Sequence, residues 1–107
     1  MKRFNLVLAA AFLAGNAVAF AATEKTITQK GKVFSESELS IKVGDTVVFV
    51  NDDNVFHNVL STNAENKFNL GSLKPGSSTP VTFKAAGDVN VLCAMHPSMK
   101  MVIKVGN

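Results

Sequence analysis

Short stretches of alternating apolar and polar residues recur along this chain, about ten residues apart, between clusters of turn-forming residues. In Leu39–Val43 the odd-numbered residues are apolar and the even-numbered ones polar, and Val89, Val91 and Cys93 repeat the pattern after Gly87. A period of two is typical of β-strands with one buried face. The pattern predicts an all-β fold, a small Greek-key β-sandwich of about seven to eight strands, with helix nearly absent.

The run Thr46–Val50 is β-branched and apolar on both faces, which predicts a central strand. Further strands are predicted over residues 55–61, 80–84, 88–93 and 100–105. The polar run Asn51–Asn54 is predicted to be a turn, because Asx residues favour turns and the spacing and glycine of a calcium-binding EF-hand are missing.

The first 21 residues have the features of a secretory signal peptide. Lys2 and Arg3 precede the apolar run Phe4–Ala14, and the small residues of Ala17–Ala19 or Ala19–Ala21 offer a cleavage site. The apolar run is shorter than the ~20 residues that a transmembrane helix needs. We therefore predict cleavage after Ala19 or Ala21, one domain over residues 22–107, a periplasmic location and no stable membrane insertion.

The charge of the processed chain excludes one class of partner. Loss of Lys2 and Arg3 from the 11 basic residues leaves nine, against eight acidic residues. The remaining lysines are scattered and form no basic stripe, so we predict no nucleic-acid partner. We expect the processed protein to be a monomer.

The single cysteine lies in a Cys93-x-x-His96-x-x-Met99 run, and the other histidine of the chain is His57. A lone cysteine in an exported chain cannot form an internal disulfide, and its neighbours favour a role as metal ligand. A thiolate, two imidazoles and a thioether are the donors of a blue-copper electron-transfer centre. The alternation directs Cys93 inward, on a loop between two predicted strands, with His57 supplied by an earlier strand.

Two other chemistries use similar residues. Zinc would bind the cysteine and both histidines, but structural zinc prefers four strong donors and does not require a thioether. A Cys–His thiol hydrolase needs a substrate cleft and a group that orients the histidine, and the sequence offers no evident acidic orienter for His57 or His96. We therefore predict that the protein is not an enzyme.

Three runs of the chain resemble the cupredoxin family of type 1 copper proteins: Gly44–Asn51, His57–Val59 and Cys93–Met99. The two residues between the loop histidine and methionine, with Pro97 among them, are similar to amicyanin, whereas plastocyanin has four. Met101 would fit the longer spacing and is the alternative axial ligand. The resemblance covers roughly residues 26–105 and implies one copper ion bound by His57, Cys93, His96 and Met99.

The family resemblance implies a carrier that shuttles single electrons between redox proteins. His96 would be the electron port, and Met95, Pro97 and Phe56 would form an apolar rim for transient docking. A periplasmic copper chaperone or store without electron transfer is the alternative. Partnership with methylamine dehydrogenase is not carried over from amicyanin, because this chain lacks an N-terminal extension.

Three residues depart from the family pattern near the predicted site. Val89 and Val91 stand where aromatic residues are common, and Ala94 replaces a threonine that usually meets the asparagine after the first histidine. We therefore expect Asn58 to use a different partner.

Overall fold

A computed structural model describes residues 22–107; the predicted signal peptide and its cleavage site lie outside these residues. Nine strands and no helix are found in the described part of the chain. They are β1 (Glu24–Lys30), β2 (Val33–Phe34), β3 (Glu38–Lys42), β4 (Thr46–Asn51), β5 (Leu60–Ser61), β6 (Phe68–Asn69), β7 (Ser78–Thr82), β8 (Gly87–Leu92) and β9 (Lys100–Gly106). Across residues 22–107 we find no helix that could span a membrane.

The strands form two sheets, one in the order β2-β1-β4-β7 and the other in the order β3-β9-β8-β5-β6. The pairs β1–β4 and β3–β9 are parallel, and the other pairs are antiparallel. The predicted all-β sandwich is confirmed, and β4 lies inside its sheet as predicted. The structure has nine strands in the described residues, more than the predicted seven to eight. Three of them, β2, β5 and β6, are only two residues long, which is too short for an alternating pattern to reveal.

The core lies between the two sheets and is built from the inward-facing residues of the alternating strands. Val89, Val91 and Cys93 are all buried, as the period of two predicts, and Phe49 and Phe83 are completely buried. Burying each large apolar side chain contributes about 1.5–3 kcal/mol. Sandwich stability therefore depends on the same strand, β8, that leads into the Cys93 loop.

Val43 departs from the predicted alternation. It is exposed rather than inward, because β3 ends at Lys42 and a turn follows. The N–H of Asp45 donates to the Lys42 carbonyl at 2.9 Å, and Gly44 has a φ of 96°, a conformation that favours glycine.

The predicted strand over residues 55–61 is wrong for most of its length. Only Leu60–Ser61 is a strand, and His57 forms an isolated antiparallel bridge with Leu73. The side-chain amide of Asn51 donates to the Val55 and Leu73 carbonyls at 2.9 Å each. Asn51 thus holds the segment at Val55 and its bridge partner at Leu73, and residues 55–59 form no strand in either sheet.

Candidate metal centre

The loop between β8 and β9 carries three of the predicted ligands, Cys93, His96 and Met99. It is closed by backbone hydrogen bonds: the N–H of His96 donates to the Cys93 carbonyl at 3.2 Å, and the N–H of Met99 donates to the His96 carbonyl at 2.8 Å. The N–H of Cys93 donates back to the Met99 carbonyl at 3.2 Å. These short connections fix the loop on the frame of two long paired strands.

His57, Cys93 and His96 converge, with candidate ligand atoms within 4.8 Å of one another. The two Nδ1 atoms are 3.2 Å apart, and the Sγ of Cys93 lies 3.9 Å from Nδ1 of His57 and 3.8 Å from Nδ1 of His96. A point equidistant from these three atoms lies about 2.1 Å from each, close to the ~2.0–2.3 Å of metal bonds to imidazole and thiolate. The donor set and its spacing therefore fit a single metal ion.

The two methionines predicted as candidate axial ligands are both buried, but they occupy different places in the strand register. In the β8–β9 pair Met101 lies opposite Val91, and continuation of that register by two residues sets Met99 opposite Cys93. The hydrogen bond from the Cys93 N–H to the Met99 carbonyl agrees with this continuation. Met99 is thus the methionine whose backbone is joined to Cys93.

Asn58 holds the loop and the segment that carries His57 together. Its backbone N–H donates to the Sγ of Cys93 at 3.2 Å, and its Oδ1 accepts a hydrogen bond from the N–H of Ala94 at 3.1 Å. Its Nδ2 donates to Oδ1 of Asn69 and to the Gly71 carbonyl. The different partner expected for Asn58 is therefore a backbone N–H, for which the side chain at position 94 is not needed.

Asp53 is a site residue that the sequence pattern did not reveal. Its Oδ2 lies 2.9 Å from Nε2 of His57, so the expectation that neither histidine has an acidic orienter is wrong. The hydrogen bond from His57, supported by backbone N–H groups of Lys32 and Asn54, lowers the pKa of Asp53 to about 2. No sequence signal marks this contact, because four residues of loop do not fix a distance as four residues of helix do.

The order Asp53, His57, Cys93 also resembles the relay of a thiol hydrolase, but burial argues against that chemistry. Cys93 is 1% exposed and His57 is fully buried. A nucleophilic thiol must reach a substrate carbonyl, and this one faces the interior of the sandwich.

Apolar side chains next to the predicted ligands in the sequence are exposed to solvent. His96 is partly exposed, and it is the only one of the four predicted ligands that is not buried. Met95 is 46% exposed, Phe56 is 52% exposed, and Pro97 is also exposed. Phe56 and Met95 are two of the four large apolar side chains that are exposed among residues 22–107.

Comparison with known proteins agrees with this geometry. The chain is 32% identical to the methylamine utilization protein MauL of Methylorubrum extorquens, over 98% of this chain and 93% of that protein. Its fold is similar to a purple cupredoxin from Nitrosopumilus maritimus, with a TM-score of 0.68 and 28% identity over 77% of this chain and 99% of that one. It is also similar to a methionine-to-alanine variant of amicyanin in the Cu(I) form, with a TM-score of 0.71 and 26% identity over 82% and 85% of the two chains. Residues 21–106 match the family model of copper binding proteins of the plastocyanin/azurin family, and the chain is a copper-binding member of that family.

Proposed function

We propose that this protein is a periplasmic type 1 copper carrier that passes single electrons between redox proteins, with His57, Cys93, His96 and Met99 as the ligands. The observation that carries the proposal is the triangle of two Nδ1 atoms and one Sγ. Copper bound there supplies one-electron redox chemistry, because thiolate and thioether suit Cu(I) while imidazoles suit Cu(II).

Burial of the ligands supports a carrier over a chaperone or store. His57, Cys93 and Met99 are buried, and a receiving protein could reach only His96 directly. A chaperone must transfer its bound metal to the ligands of another protein, and this transfer requires access to the thiolate. A carrier needs only one exposed edge, and ligands held in place by hydrogen bonds limit rearrangement when the charge changes.

The register of β8 and β9 supports Met99 as the axial ligand. Met99 lies opposite Cys93, whereas Met101 lies opposite Val91, two residues further along β9 from the loop. Because the Cys93 sulfur is one of the proposed equatorial donors, the methionine beside Cys93 is the better placed of the two.

We propose that redox partners dock transiently on the apolar surface formed by Phe56, Met95 and Pro97 around His96. Those side chains can exclude water from the port, and His96 links the surface to the buried donors. Short-lived electron-transfer complexes bury less than about 1,200 Å² in total, a size that such a small surface can supply.

The periplasmic location and the absence of enzymatic activity are part of the same proposal. The basic, apolar and small-residue regions of the first 21 residues support export and cleavage. The buried thiol supports electron transfer rather than turnover of a substrate.

Two rates measured on the copper-loaded protein distinguish the carrier from the chaperone. We expect fast electron self-exchange between Cu(I) and Cu(II) forms, with slow loss of Cu(I) to a competing chelator. The control is Val43→Lys, a change of an exposed residue in the turn before β4, which should alter neither rate. Slow self-exchange together with rapid loss of Cu(I) would support the chaperone and contradict the carrier.

A further inference from the structure

The carboxylate of Asp53 lies at the edge of the His57 ring that points away from the proposed metal. Nδ1 of His57 faces Cys93 and His96, and Nε2 on the other side of the ring lies 2.9 Å from Oδ2 of Asp53. The His57 side chain is fully buried, and that of Asp53 is 13% exposed. The contact is therefore largely shielded from water.

The carboxylate is itself held in place from two directions. The backbone N–H of Lys32, in the turn between β1 and β2, donates to Oδ2 at 3.0 Å. The N–H of Asn54 donates to Oδ1 at 3.0 Å, and the N–H of Asp53 donates to Oδ1 of Asn51 at 3.0 Å. Asp53 thus connects a hairpin turn 21 residues earlier in the chain to the ring of His57.

The Asp53 carboxylate determines that Nε2 of His57 carries a proton. A carboxylate is only an acceptor, so Nε2 of His57 carries the proton that lies between the two groups. In the neutral ring the lone pair is then on Nδ1, which is directed at Cys93 and His96. The two histidines differ in this respect, because no hydrogen-bond partner of Nε2 of His96 is found among residues 22–107.

We propose that Asp53 is a positioning residue of the copper centre: its carboxylate fixes the tautomer and ring orientation of His57 and favours the oxidised metal. This inference rests on the proposed function, in which His57 is a ligand. A carboxylate that accepts the second N–H of a histidine ligand orients the ring and raises its basicity. Its negative charge attracts Cu(II) more strongly than Cu(I), so it lowers the reduction potential.

The decisive comparison is between two adjacent aspartates. Asp53→Asn and Asp52→Asn change the net charge equally, but Asp52 is exposed and does not contact His57. In the copper-loaded protein we expect Asp53→Asn to raise the potential and to lower Cu(II) affinity relative to Cu(I) by about 10-fold, at the lower end of the effect of such groups. Asp52→Asn should change that affinity ratio by less than about 2-fold, because its charge is screened by solvent. Equal potentials in the two variants would overturn the inference.

A second measurement does not depend on a variant that folds. Imidazole nitrogen chemical shifts in the metal-free, full-length wild-type chain should show His57 protonated at Nε2 at neutral pH. A His57 ring protonated mainly at Nδ1 would contradict the proposed role of Asp53. Failure of the proposed function is separate, because it would appear as a wild-type protein without a reversible copper couple.

Discussion

The backbone N–H of Asn58 donates to the Sγ of Cys93 at 3.2 Å, across 35 residues of sequence. This hydrogen bond restrains the buried sulfur on the side of the segment that carries His57. The Asn58 side chain forms hydrogen bonds with Ala94, Asn69 and Gly71. These three contacts hold the residue, and with it the backbone N–H that donates to Cys93, in place.

Asn58→Ala should destabilise the metal-free protein. The change removes three side-chain hydrogen bonds at a buried position, and at the usual net value of such bonds the free energy of unfolding should fall by about 2–4 kcal/mol. Urea unfolding measures this difference. Asn54→Ala is the control, because that side chain is exposed, and it should change stability by less than about 0.5 kcal/mol. Equal stability of the two variants would show that Asn58 does not hold the loop.

The axial ligand can be assigned from reduction potentials. Met99→Gln should lower the potential, because an amide oxygen is a harder donor than a thioether and favours Cu(II). Met101→Leu removes the other buried methionine with little change in volume and should leave the potential nearly unchanged. Cyclic voltammetry measures the reduction potential of both variants. A changed potential in Met101→Leu with an unchanged one in Met99→Gln would show that Met101 is the axial ligand.

The proposed docking surface predicts the effect of a new charge beside His96. In self-exchange two copies would meet at the same surface, so Met95→Lys would set two like charges against each other and slow the reaction by on the order of 10-fold or more. Val43→Lys adds the same charge in the turn between β3 and β4 and should leave the rate unchanged. Nuclear magnetic resonance line broadening in mixed Cu(I) and Cu(II) samples measures both rates. A rate equally insensitive to both changes would contradict docking at Met95.

The acid sensitivity of the fold should depend on Asp45, which lies in the turn just before β4. Hydrogen bonds from the backbone N–H groups of Thr23 and Lys42 lower the pKa of Asp45 below its ordinary value of 3.8. A group with a lowered pKa in the folded state contributes stability that is fully present above pH 3.8 and is lost as the pH falls through the lower folded value.

Asp45→Asn should therefore lower stability at neutral pH and reduce its dependence on pH below 3.8. Urea unfolding midpoints of wild type and variant, followed from about pH 7 into this acid range, give the comparison. Two parallel curves would show that Asp45 has the same pKa in the folded and unfolded states. Asp88→Asn, a change of an exposed carboxylate, is the matched control.

How much of the fold is visible in the sequence depends on how apolar each inward face is. Val89, Val91 and Cys93 mark β8 clearly, because every inward residue is apolar. The strand β1 is not visible in the same way, since its two buried residues are Ile27 and the polar Gln29. The two-residue strands are too short to show a period.

Part of the candidate metal site is also predictable from the sequence, and part of it is not. Cys93, His96 and Met99 are close in the sequence, so their spacing alone indicates a ligand loop. The contact between Asp53 and His57 is not predictable, because it depends on a loop whose path is set by Asn51 and on an N–H of Lys32 from a distant turn. Tertiary contacts determine that part of the centre.

The most direct test of the account is the visible spectrum of the copper-loaded protein and of Cys93→Ser. If the Cys93 thiolate binds Cu(II), charge transfer from sulfur to metal should make the oxidised wild type intensely blue, with the colour lost on reduction. Cys93→Ser should be colourless even where it still binds copper, because a hydroxyl oxygen cannot supply that transition. Wild-type protein that binds one equivalent of Cu(II) and stays colourless would contradict the type 1 assignment, as would a blue Cys93→Ser.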